Sequence, residues 1–205
     1  MVGRPRFSRR AGFTLLEISI AVGLLSVIGI KLVQVLSSAS RYSSTENSSF
    51  ILEERATAVL DRIVYAIMST NRETLLPEAA EPLHSESLHY QIKLGVEDGE
   101  VVWDDPEMIG VDQNPNQMIW ARNPGAETER RLVWCNLVAP FLEGEIPNGK
   151  DDNGNGIVDE SGLSFTVVHN KVTIRLTLER RGSDGTLHTK YIETNATCRN
   201  LGINP

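Results

Sequence analysis

The chain has 205 residues, of which 40% are hydrophobic and 23% charged, and a formal net charge of −7 at pH 7. That composition belongs to a folded protein with room for one ordinary domain and an appendage, and it excludes wholesale disorder. Residues 1–12 hold Arg4, Arg6, Arg9 and Arg10 and no acid, so 16 of the 20 Lys and Arg and all 27 Asp and Glu lie beyond them. The acidic remainder excludes nucleic acid as a partner of the main body, because phosphate neutralisation needs clustered Lys and Arg.

From Phe13 to Leu36 the chain is apolar apart from Glu17, Lys31, Gln34 and small hydroxyls. Twenty-four helical residues rise about 36 Å, enough to cross a hydrocarbon core of about 30 Å. The arginines before this run favour a cytoplasmic start and place the C-terminal bulk outside the cytoplasm. A secretory signal peptide shares the basic start and apolar stretch, but its weak cleavage candidate, "SSAS" at Ser37–Ser40, is followed by more helix. In that continuation Leu52, Ala56, Val59, Leu60, Ile63, Val64 and Ile67 recur at steps of three and four. Glu53, Glu54, Arg55, Asp61 and Arg62 take the other faces. Neither Gly nor Pro occurs between Lys31 and Leu76, so one helix of more than fifty residues is expected, apolar all round over 13–36 and amphipathic over 37–70. Glu17 is the anomaly in it. A carboxylate at a bilayer centre costs about 2.5–3.5 kcal/mol, and less near the interface.

The stretch Gly12, Phe13, Thr14, Leu15, Leu16, Glu17, after a short basic leader and before an apolar helix, resembles the class III leader of type IV pilins and type II secretion pseudopilins. The resemblance implies that a membrane prepilin peptidase cuts between Gly12 and Phe13 and that the new amine is methylated. In staggered parallel helices the carboxylate of Glu17 then lies at the depth of a Phe13 amine, its own or a neighbour's, and pairing offsets much of the burial cost. Glu17 reads as a register device for assembly rather than a catalytic group; a tolerated acid that snorkels to the interface is the plainer alternative.

After Met68 a polar segment with Pro77 and Pro82 leads into strand-like alternation at 88–95, 100–103, 117–122 and 130–138. Residues 163–168, 171–179 and 186–197 read as three antiparallel strands. In the middle one Val172, Ile174, Leu176 and Leu178 face one way and Thr173, Arg175 and Thr177 the other. The expected fold is α+β: the long N-terminal helix, membrane-spanning and then amphipathic, packed on an antiparallel β-sheet domain over 71–205. The order of elements, with "VLDRIVYAI", "KVTIRLTLE" and a final strand ending in "CRN", is similar to the minor pseudopilin J group.

Between the two sets of strands lies "NGKDDNGNGIVDESG", residues 148–162. Asp151, Asn153, Asn155, Gly156, Ile157 and Asp159 match positions one, three, five, six, seven and nine of a calcium loop, with Glu160 beside them. Gly162 stands where the closing bidentate Glu of an EF-hand belongs, so the loop is not an EF-hand. A structural Ca²⁺ that pins an outer loop is one expectation, and a solvated Asn, Gly and Asp turn is the other.

Only two cysteines occur, Cys135 and Cys198. Outside the cytoplasm, oxidising conditions favour a disulfide between them, with two buried thiols as the alternative. His84, His89, His169 and His188 are scattered without metal-site spacing, and Trp103, Trp120 and Trp134 are expected to fill the core. No nucleophile, phosphate-loop or dinucleotide motif points to an enzyme. By resemblance, the chain is expected to be a minor pseudopilin of a type II secretion pseudopilus in a bacterial inner membrane. Its C-terminal domain would be periplasmic, and its partners other pseudopilins, the prepilin peptidase and the inner-membrane secretion platform. A minor pilin of a type IV pilus or competence system, or a binding module anchored by one uncleaved helix, are the alternatives.

Overall fold

The computed structural model of the chain describes residues 13–76, 82–112, 116–182 and 185–198. The expected leader 1–12, with Gly12, lies outside the described residues. One helix, α1, runs Leu15–Ser69 without interruption, as the absence of Gly and Pro beyond Lys31 requires. The chain divides into two compact units at Ser44 and Thr45, and α1 belongs to both.

In the first unit the helix is apolar on every side. Leu15, Leu24, Ile28, Val33 and Leu36 are all more than half exposed. Leu15–Ser40 is long and apolar enough to cross a membrane. Its hydroxyls are satisfied within the helix: Ser19, Ser26 and Ser38 donate to the carbonyls of Leu15, Val22 and Gln34 at 2.8–2.9 Å. Such back-bonding lets a hydroxyl sit where no water reaches.

The second unit is an α+β domain. Its stretch of α1 buries Leu52, Ala56, Val59, Leu60, Ile63 and Ile67 of the expected stripe, adds Ser48 and Ala66 to it, and leaves Val64 half-buried at its edge. Leu52, Ile63 and Ile67 share one core with Leu88, Ile109, Phe165, Ile174 and Leu176, so the helix face is consumed by the sheets.

The first sheet has the order β1 (Leu83–Ser85), β8 (Leu163–Val168), β9 (Lys171–Arg181) and β10 (Leu187–Thr197), antiparallel throughout. The alternation along β9 is as expected, with Val172, Ile174, Leu176 and Leu178 fully buried. Thr177 is an exception: it is buried on the opposite face, because residues 139–143 lie over it. There Ala139 N–H donates to Thr177 O at 2.9 Å and Glu143 N–H to Thr177 Oγ1 at 2.9 Å.

The second sheet has the order β2 (Ser87–Tyr90), β5 (Glu107–Val111), β6 (Met118–Arg122) and β7 (Arg130–Cys135). A third, two-stranded ribbon pairs β3 (Lys93–Glu97) with β4 (Glu100–Trp103). The run expected as one strand over 88–95 is thus two strands in different sheets, parted at Gln91 and Ile92. β1 and β5 were not expected, since Pro82 and Pro106 precede them and a proline reads as a break. Both prolines stand just outside their strands, where no ladder N–H is needed.

Candidate functional site

The entry of α1 is built by its first residues alone. Thr14 Oγ1 accepts from the Glu17 N–H at 3.3 Å, and Glu17 Oε2 accepts from the Thr14 N–H at 2.8 Å and its hydroxyl at 3.0 Å. This reciprocal pair is a capping box, which satisfies two helix-end donors. Its sequence signal is the T-x-x-E of Thr14–Glu17. Phe13 is 84% exposed immediately before it, and Gly12 lies outside the described residues.

The acidic loop connects the two four-stranded sheets, and its base is clamped. Leu142 N–H donates to Glu160 O at 2.9 Å, Gly162 N–H to Ala139 O at 3.2 Å, and Thr177 N–H to Gly162 O at 2.7 Å. Asp151 caps the turn: its Oδ1 accepts from Gly154 N–H at 2.7 Å and Asn155 N–H at 3.1 Å, and its Oδ2 from Gly156 N–H at 2.7 Å. These bonds, that from Gly156 first, hold its carboxyl below the usual carboxylate range. Gly156, at φ +90°, supplies the turn that an L side chain resists.

One of the expected ligands is turned elsewhere: Asp159 accepts from the N–H groups of Asn148 and Gly149 at 3.0–3.1 Å. The N–H of Ile157 donates to Asn155 Oδ1 at 2.8 Å. Asn153 and Asn155 both point their amides at Glu160. Asn153 Nδ2 lies 3.0 Å and Asn155 Nδ2 2.8 Å from Glu160 Oε2, and Asn153 Nδ2 also meets Glu145 Oε1 at 2.7 Å. Glu145, outside the calcium-loop pattern, is the residue that spacing within the loop had no means to find. Burial first, and then the charges of Glu160, Asp152 and Asp151, push its carboxyl above the usual range, against a weaker opposing pull from the Glu160 N–H. Among the described residues no three His, Cys, Asp or Glu side chains are drawn up around a common point; asparagine amide nitrogens stand between the carboxylates instead.

Gly162 explains the missing closing acid. A Cβ there would lie 2.3 Å from Ala139 O and 3.0 Å from both Ala139 N and Thr177 O. All three are backbone atoms that no rotamer change can move. Gly162→Ala is therefore expected to destabilise the protein by about 1–3 kcal/mol, as overpacking does, read as a lower urea midpoint at unchanged slope.

The disulfide expectation is corrected. Cys135 and Cys198 are separate buried thiols. Cys135 ends β7 opposite Met118 in the second sheet, while Cys198 follows β10 in the first, its N–H on Asn170 O at 2.9 Å. Burial pushes both thiols up, which keeps them protonated and unreactive.

The tryptophans do not fill the core, as they were expected to; all three are half-buried. Trp120 and Trp134 stack with centroids 6.4 Å apart and planes 6° from parallel, and Arg62 lies 5.8 Å from the Trp134 centroid. They border a groove of about 430 Å³ with Tyr65, Tyr90, Ile92 and Glu107. Glu107 accepts from Trp120 Nε1–H at 2.8 Å, and burial together with Glu107 holds the Tyr90 hydroxyl far above its ordinary range. The histidines stay apart: His84 Nδ1 pairs with Thr166 Oγ1 at 3.0 Å, and burial pushes His89 down.

Comparison with known proteins leaves the chain by itself: no family model, no curated sequence and no solved structure matches it.

Proposed function

We propose that the chain is a pilin-like assembly subunit, most like a minor pseudopilin of a type II secretion pseudopilus. It is inserted in a bacterial inner membrane, cut by a prepilin peptidase between Gly12 and Phe13, and recruited with other pseudopilins by the inner-membrane secretion platform to support protein secretion. One observation carries this reading: a single uninterrupted helix joins the wholly exposed apolar stretch Leu15–Ser40 to a half whose apolar face is used up by a β domain. An apolar surface on all sides of a helix calls for lipid or neighbouring helices as its cover. The sequence Gly12, Phe13 and Glu17 at the start of that stretch supports neighbouring helices, since cleavage creates an amine whose charge Glu17 offsets.

The test is the intact mass of the protein purified from membranes of its own host. A mass lacking residues 1–12 and carrying one methyl supports the precursor route. A full-length mass overturns it and brings forward a binding module anchored by an uncleaved helix. Gly12→Val is expected to leave essentially all of the protein at full length in the same measurement. Crosslinking to neighbouring subunits then separates a secretion pseudopilus from a type IV pilus or competence system.

A further inference from the structure

The groove beside Trp120 and Trp134 has walls and a mouth of different chemistry. In its walls Glu107 accepts from Trp120 Nε1–H at 2.8 Å and is hydrogen-bonded to the Tyr90 hydroxyl, so these polar groups are spent on one another. What remains to line about 430 Å³ is the ring surface of Trp120, Trp134, Tyr65 and Tyr90, together with Ile92 and Ala66. That volume falls in the range of about 300–1,000 Å³ typical of ligand sites. At the mouth stands Arg62. Its guanidinium lies 5.8 Å from the Trp134 centroid and makes no hydrogen bond or ion pair among the described residues, so its N–H donors are free. Asp61, beside it on α1, is exposed and keeps its water.

An occupant of this groove must cover aromatic faces and accept hydrogen bonds at its edge. It must also bring no donors inward, because the carboxylate in the walls is already engaged by two. A polypeptide in the polyproline II conformation fits on each count. Proline has no N–H to satisfy, and the carbonyls of such a helix are unbonded within it. Aromatic-lined grooves are a recurring docking site for it. A lysine or quaternary ammonium, another guest of aromatic walls, would meet the positive Arg62 over Trp134. A sugar or an ordinary peptide strand brings O–H or N–H groups that the walls do not receive. The spacing agrees as well. The Trp120 and Trp134 centroids are 6.4 Å apart with planes 6° from parallel, and two residues of a polyproline II helix advance about 6.2 Å.

We propose that this groove binds a proline-rich segment of a partner polypeptide in the polyproline II conformation. Proline rings lie on Trp120, Trp134 and Tyr65, and Arg62 donates to the carbonyls between them. The helix is ordered before it binds, so little entropy is lost on docking.

The experiment is titration calorimetry on the full chain in detergent micelles with a capped peptide of about ten prolines, which is polyproline II throughout. A glycine–serine peptide of equal length is the flexible control. One proline peptide per chain is expected, with a Kd below about 1 mM, and no binding of the control. Because no ion pair forms, binding should not weaken as salt rises to about 1 M. Trp134→Leu and Tyr65→Ala should each weaken binding at least about tenfold. Arg62→Met keeps an apolar stem over Trp134 but has no N–H donor, and should weaken it about threefold or more. Tyr65 is 72% exposed and Arg62 is exposed, so both variants should unfold in urea as the wild type does. If Trp134→Leu fails to fold, those two decide. No binding of the proline peptide, equal binding of the control, or binding unchanged in both Tyr65→Ala and Arg62→Met overturns the proposal. So does tighter binding of cellotetraose, which would make the rings a sugar platform. Binding that weakens with salt overturns it too, since Arg62 would then be receiving an anion. None of these results bears on cleavage after Gly12, so the groove and the assembly function stand or fall separately.

Discussion

Glu17→Ala is expected to leave removal of residues 1–12 unchanged and to abolish incorporation into an assembled filament, and Glu17→Gln is expected to do the same. The pair of variants matters because the proposed function gives Glu17 a second job beside its cap. As the acid of the capping box it accepts from the Thr14 N–H and hydroxyl. Losing that is worth about 1 kcal/mol at a helix end. In the proposed assembly its negative charge would compensate the Phe13 amine in a medium where an unpaired ion costs several kcal/mol. Glutamine keeps the cap, since the box accepts Gln as well as Glu, but carries no charge. Alanine removes both. If the charge is what assembly needs, the two variants fail alike, with intact mass confirming that both were cleaved. Normal assembly of Glu17→Gln would falsify the register argument and leave Glu17 as a cap.

The second large effect is expected at Ile63, where Ile63→Ala should lower the unfolding free energy by about 2–5 kcal/mol. Ile63 is 0% exposed on the α1 face that shares a core with Phe165, Ile174 and Leu176. The truncation leaves a cavity between helix and sheets that rigid strands on the far side cannot collapse to fill. Against a typical total of about 5–15 kcal/mol, that is a large share of the domain's stability. Glu54→Ala, on the exposed side of the same helix, should change stability by no more than about 0.5 kcal/mol. Urea unfolding of the two variants in the same detergent gives the contrast directly, with equal slopes showing that the unfolded state is unchanged. Equal small effects would mean that α1 is not held by the face assigned to it.

Helix α1 was legible because periodicity is local. Leu52, Ala56, Val59, Leu60, Ile63 and Ile67 state their own face at steps of three and four, and no other part of the chain is needed to read them. Strands β8 to β10 were legible for the same reason, being long, alternating and joined by turns. β1 and β5 escaped because they are short and follow prolines, and what makes them strands is their pairing: β1 with β8, far away in sequence, and β5 between β2 and β6. Trp120 and Trp134 were misplaced since an aromatic side chain does not declare whether it is swallowed or stacked at a groove; Arg62 on α1 settles that from outside the strand.

The sequence by itself determined where the apolar helix begins, its Gly12, Phe13 and Glu17 start, the cap that T-x-x-E forms, and the α+β order of elements, all of them relations between residues a few positions apart. Contacts between distant parts of the chain put Cys135 and Cys198 in different sheets, hold Asp159 on the N–H groups of Asn148 and Gly149, and join Glu145 to Glu160. The physical reason is the same in each case. A side chain's partner is chosen by which backbones the sheets bring together, and Gly162, wedged against Ala139 and Thr177, fixes where the loop closes and so which carboxylates are left facing each other.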